Sequence, residues 1–233
     1  MLQRKASGTG DGSPFSPALF QFLRQLREHN DREWFQANKD RFEAEVKRPM
    51  LAFVEAFAGP LEGISRNYLA DPRPAGGSMF RIFRDTRFAH DKSPYKTNVG
   101  AQFRHRACTR DVHSPGFYLH LDPAGCFASA GLWHPDPESL RKVREAIVAR
   151  PRAWKALRTA GIEVLGEALK RVPQGFDPGH PEAEDLKLKD FYSHLPLTEQ
   201  EVCAPDFLER YTEACRRSAP LLAFLTRALE LPW

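Results

Sequence analysis

Residues 115–133, PGFYLHLDPAGCFASAGLW, constrain the fold more than any other stretch of this chain. Successive side chains of an extended strand point to opposite faces. In FYLHL (117–121), Phe117, Leu119 and Leu121 therefore share one face, and Tyr118 and His120 share the other. Asp122-Pro123-Ala124-Gly125 follows, with Pro and Gly where turn geometry favours them. The segment 126–132 comes directly after, so the pair reads as an antiparallel hairpin. Segments 78–84 and 97–104 are also short, aromatic and partly alternating, and turn-rich stretches separate them. The region predicts an antiparallel sheet of about four or more strands, with one apolar and one polar face.

Helical patterns lie on both sides. Ser16-Pro17 is a cap residue followed by Pro at the first helical position, and Leu19, Phe22, Leu23 and Leu26 recur at helical spacing. Asn30 with Glu33 resembles a capping box for a second helix carrying Trp34, Phe35, Phe42 and Val46. Pro49 should kink or restart it, and Gly59-Pro60 should end it. After the sheet, Asp136-Pro137 opens a helix with Leu140, Val143 and Ile147 inward. Helical pattern continues around Trp154 and Leu157, and residues 173–196 are loop-rich, with no element assigned. Thr198 with Glu201 is a second capping-box pattern, and Phe207 to Leu229 is helical. Helices, then strands, then helices give the α+β class. No composition break marks a linker and no repeat occurs, so 14–233 reads as a single α+β domain. The Gly/Ser-rich 1–13 reads as a disordered tail.

Composition excludes several classes. No apolar run approaches the roughly 20 residues of a membrane span. The four cysteines form no CxxC pair and are too sparse for a disulfide scaffold. The basic N-terminus has no apolar stretch behind it, so a cytoplasmic chain with free thiols is expected.

The charge distribution points to a site. The whole chain is +4. Between Gly76 and Arg106, seven cations (Arg81, Arg84, Arg87, Lys92, Lys96, Arg104, Arg106) stand against two acids, Asp85 and Asp91. That window is +5, so everything else nets to −1. On a straight strand Arg81 and Arg84 would face opposite ways. They converge only if the chain bends near Asp85, and Ser93-Pro94 supports a loop there. Guanidinium groups grip phosphate or carboxylate as planar forks, and Lys adds a point charge.

The run R-x-x-R-D-x-R-F-x-x-D-K-x-x-Y (Arg81, Arg84, Asp85, Arg87, Phe88, Asp91, Lys92, Tyr95) resembles the signature of a bacterial family, domain of unknown function 2461. The resemblance extends to REWF (32–35), Asn38-Lys39, PGFYLHL (115–121) and Gly131-Leu132-Trp133, and covers nearly the whole chain apart from the tail. It implies one bacterial domain in which 81–95 matters. It supplies no activity and no substrate, and the cofactor is unknown.

Three functional readings follow. The first is a protein that binds or acts on a small anionic ligand. Arg81, Arg84, Arg87, Lys92 and Lys96 would hold the anion. Asp85 would orient an arginine or act as general base, and Tyr95 would donate a hydrogen bond or proton. The second is a nucleic-acid-binding module using the same cations, with Phe80, Phe83, Phe88, Tyr95 and Phe103 as core or as a stacking platform. A net charge of only +4 counts against it. The third is a structural or interaction protein in which Arg and Asp pair internally to brace the fold. The eight histidines form no HxH or HExxH pattern, and His120 and His134 are the pair that could meet in space. No metal site is assigned, and the oligomeric state is left open.

Overall fold

The computed structural model describes residues 12–87, 90–109 and 111–233. Helix α1 (Pro17–Glu28) starts at Ser16 with Pro17 in its first turn and buries Leu19, Phe20, Phe22, Leu23 and Leu26. Asp31, not Asn30, caps α2 (Arg32–Ala37), accepting from the Trp34 N–H at 2.8 Å. A short turn, α3 (Lys39–Arg41), leads into a π-helical segment, Phe42–Lys47, and then α4 (Arg48–Glu62). The π turn sits directly before Pro49, whose missing N–H interrupts the α-helical ladder. The helix restarts there as expected. It runs past Gly59-Pro60 to Glu62, because a proline two residues from the end interrupts only the closing turn.

Among the described residues, β1 (Tyr68–Leu69), β2 (Val99–His105), β3 (Gly116–Leu121), β4 (Cys126–Leu132) and β5 (Phe191–Leu197) form one sheet in that order, every neighbour antiparallel. The hairpin read from 116–132 is present, with Phe117 opposite Ala130 and Leu119 opposite Ala128.

Two expectations need correction. Residues 78–84 are not a strand. They make only the isolated bridges Met79↔Ala101 and Phe83↔Tyr95. Residues 78–80 lie along β2 through Phe80 N–H to Gly100 O (2.9 Å) and Gln102 N–H to Ser78 O (2.8 Å). The chain then leaves β2 and folds 82–84 back on 94–96, where Pro94 accepts from Arg84 but has no N–H to return. Conversely, 173–196 is not all loop: α7 (Ala183–Leu186) and most of β5 lie in it. Pro196 disguised that strand. The Tyr192 N–H and C=O turn away from β4 to Leu165, and position 196 has the same parity, so its missing N–H removes no bond to β4.

The remaining helices are α5 (Pro137–Ala149), capped by Asp136, α6 (Pro151–Thr159), α8 (Glu199–Val202), with the expected Thr198/Glu201 capping box, and α9 (Phe207–Ala228). Residues from α1, α4 and α9 pack with Ala101, Phe103, Phe117, Leu119, Ala128 and Ala130 of one sheet face. A second cluster joins α5, α6 and α9 to Leu132 and Phe191 of the same face. Residues 1–11, most of the expected tail, lie outside the described residues. The Ser13 hydroxyl donates to Val202 O at 2.8 Å. No described helix is long and apolar enough to cross a membrane.

Candidate functional site

With the helices on one face, the alternation of the strands sends Gln102, Tyr118, His120, Phe127, Ser129, Tyr192 and His194 to the other. These residues floor a cleft of about 700 Å³. The 78–98 segment supplies one wall with Phe80, Arg84, Asp85, Lys96 and Asn98, and Val112 and Trp133 line the opposite end. Arg84, Lys96 and Asn98 also line a neighbouring hollow of about 520 Å³, reached by Arg27 and Asp91.

The bend expected near Asp85 is present, and it sorts the charges. Arg84 donates to the Asp91 carboxylate and to the Ser93 hydroxyl. Ser93 in turn bonds Asp91 through its N–H (2.9 Å) and hydroxyl (2.8 Å). Arg87 grips Asp85 through Nε (2.9 Å) and a terminal nitrogen (2.7 Å). Each arginine holds its carboxyl at about 2, well below the usual range. Lys92 donates to Thr86 O at 3.0 Å, and Arg81 is exposed. Phe88 lies outside the described residues.

Lys96 differs from these. Among the described residues it has no carboxylate partner, and its ammonium lies 5.3 Å from the centre of the Phe80 ring. Burial, and then the charge of Arg81, push its pKa down. Arg104 lies 5.4 Å from the same ring and is likewise lowered by burial.

Tyr95 is 2% exposed. Its ring stacks on Phe35 at 4.1 Å and 18°. Its backbone is clasped by Asn30, whose amide donates to Tyr95 O (3.0 Å) and accepts from Tyr95 N–H (3.1 Å). That clasp explains why Asn30 is not the α2 cap, and it fixes the loop to the α1–α2 corner. Of the anion-site residues singled out from sequence, the cleft thus gathers Arg84, Asp85 and Lys96. Arg81, Arg87, Lys92 and Tyr95 do not line it.

The structure adds groups that the charge pattern did not single out. The Tyr118 hydroxyl lies 2.8 Å from His120 Nδ1. Burial pushes the phenol up to about 12 and the imidazole below its ordinary value. Asp122 opposes the imidazole shift and His194 reinforces it. His120 stacks on Phe127 at 4.6 Å and 15°, and Phe127 meets His194 at 4.5 Å. Gly100 leaves room for the Tyr118 ring: a Cβ there would stand 2.7 Å from the hydroxyl oxygen. His120 does not meet His134, whose Nδ1 faces the buried Asp190 at 3.3 Å. The signal for Tyr118 and His120 was the polar register of FYLHL. The signal for Tyr192 and His194 was the same alternation in β5. Among the described residues no three His, Cys, Asp or Glu side chains gather as a metal-holding group.

A model of the family described as Conserved hypothetical protein (DUF2461) matches residues 18–224. No curated protein matches the chain.

Proposed function

The chain belongs to the DUF2461 family, whose description names no activity, and from that premise we propose that the cleft binds a small anionic molecule, a phosphate or carboxylate, at Lys96 and Arg84. The observation that carries this reading is Lys96 itself. A half-buried cation without a carboxylate partner is poorly solvated, and a bound anion restores what burial removes. Arg84 adds a guanidinium already oriented by Asp91 and Ser93. Asp85, ionised and gripped by Arg87, suits orienting cations better than accepting a proton near neutral pH. The hydroxyl on the cleft side is that of Tyr118, and with His120 it is the pair best placed to share a proton with a bound ligand.

Calorimetric titration of the full chain with inorganic phosphate, pyrophosphate and citrate tests the proposal. At least one anion should bind, and Lys96→Met should weaken it at least tenfold. No binding, or equal binding by the variant, would overturn it. The bracing reading retains one supporting observation, the Arg84–Asp91 and Arg87–Asp85 pairs. The Arg87–Asp85 pair is solvent-exposed and the Arg84–Asp91 pair is exposed on its carboxylate side, and exposed pairs contribute little to stability.

A further inference from the structure

The cleft is different at its two ends, and the strand register gives its direction. Lys96 and Asn98 precede β2, whose first residue, Val99, pairs with Leu121 at the end of β3. The cationic end therefore lies beside His120. Gly116 opens β3 and pairs with Gly131, which is followed by Leu132 and Trp133. From His120 to Gly116 the strand advances about 13 Å, four residues at about 3.3 Å each.

Among the described residues that line it, the far end holds aromatic rings and no Lys or Arg; Arg104, opposite Gly116 on β2, turns its guanidinium to the Gln102 side chain and Thr109 O. Trp133 is 51% exposed, and its indole lies 5.1 Å from Tyr192. Between this pair and the Tyr118–Phe127 rings the lining residues are small, Ser129 and Gly131 of β4 and Gly116 of β3, the last flanked by the Gln102 side chain. A broad, half-exposed indole beside a recess floored by glycine and serine fits a flat ring.

Resting on the anion-binding reading of the same cleft, we propose that its ligand is a planar unsaturated ring carrying an anionic group about one nucleotide length away. The anion sits at Lys96 and Arg84, and the ring lies against Trp133 and Tyr192. Nucleoside monophosphates and aromatic rings bearing a carboxylate on a chain of several carbons share that chemistry.

The test is calorimetric titration of the full chain with paired probes: AMP against ribose 5-phosphate, and indole-3-butyrate against butyrate. The ring-bearing member of at least one pair should bind about tenfold tighter or more, as stacking on an aromatic side chain allows. The winning pair tells phosphate from carboxylate. In Trp133→Leu the affinity ratio within that pair should fall toward one. If ribose 5-phosphate and butyrate each bind as tightly as their ring-bearing partners, the ring inference is overturned and the anion reading stands. If inorganic phosphate, pyrophosphate, citrate and all four probes fail to bind, both are overturned. If the ratio survives in Trp133→Leu, the ring is held elsewhere and the proposal fails.

Discussion

Gly100→Ala should distort the cleft from beneath. Gly100 lies on β2 opposite His120, where an added Cβ would meet the Tyr118 hydroxyl oxygen at 2.7 Å, its Cε2 at 2.9 Å and Leu119 O at 3.0 Å. Real Cβ contacts are essentially never shorter than 3.0 Å, so the tyrosine ring has to lift. Phe80 and Phe127, with ring centres 6.0 and 5.8 Å away, limit where it can go. Lifting also breaks the 2.8 Å bond to His120. Overpacking costs about 1–3 kcal/mol, and a part-buried hydrogen bond contributes about 1 kcal/mol. The expected loss is about 2–4 kcal/mol, a fall in melting temperature of about 5–15 °C for a chain of this size. The assay is a thermal melt of four proteins: wild type, Gly100→Ala, Tyr118→Ala and the double variant. Tyr118→Ala removes two of the three close contacts, so Gly100→Ala should cost much less in that background, with a coupling of at least about 1.5 kcal/mol. Equal penalties in both backgrounds would refute the claim that Gly100 exists to seat Tyr118.

Three other outcomes are expected. Arg84→Ala should melt within about 3 °C of wild type, because its partner Asp91 is solvent-exposed, while weakening the binding of any anion that the wild type takes up. A large loss of stability without loss of binding would favour the bracing role. His120 titrates below its ordinary value in the native chain because of burial, so the unfolded chain takes up its proton first. Stability from this group is complete above about pH 6.5 and is lost as the pH falls through the depressed native value. Urea midpoints between pH 7 and pH 5 should therefore fall more steeply for wild type than for His120→Gln, and equal slopes would count against a buried neutral imidazole. Finally, affinity for random single- or double-stranded DNA or RNA should be negligible near physiological salt, since Arg84 and Arg87 already hold carboxylates. Tight, steeply salt-dependent binding in an anisotropy titration, abolished by charge reversal at Arg81, Arg87 and Lys96, would put the nucleic-acid reading first.

The hairpin was legible because its signals are local. Alternation in 117–121 and a Pro/Gly turn act over fewer than ten residues, and the Thr198/Glu201 cap acts over four. Residues 78–84 misled because the run is short and aromatic and only partly alternating, with Phe80 and Ile82 flanking Arg81 as in a strand. Their fate was decided by β2, whose 100–102 stretch the chain can follow for only three residues, and by Pro94, which cannot complete a ladder. The cap at Asn30 was placed one residue early for a similar reason. Asn30 and Asp31 are both good caps, and only the distant Tyr95 backbone determines which one is free to serve.

The same distinction separates the two ends of the cleft. Its cationic end is encoded in one contiguous run, so an excess of positive charge over 76–106 was enough to find it. Its aromatic end is assembled from Val112, Trp133 and Tyr192, which lie on three segments with no common pattern. Only the register of β3, β4 and β5 joins them. A chain selected solely for stability would bury those rings, because each apolar side chain withdrawn from water stabilises the fold. This chain instead buries Phe103, Phe117 and Leu119 under its helices and leaves Trp133 half exposed beside a recess. The recess lies at one end of a cleft whose other end holds a cation with no carboxylate partner among the described residues. Either feature alone has an ordinary structural explanation. Together, along one strand direction, they are the two observations on which the proposed ligand, anionic at one end and flat at the other, rests.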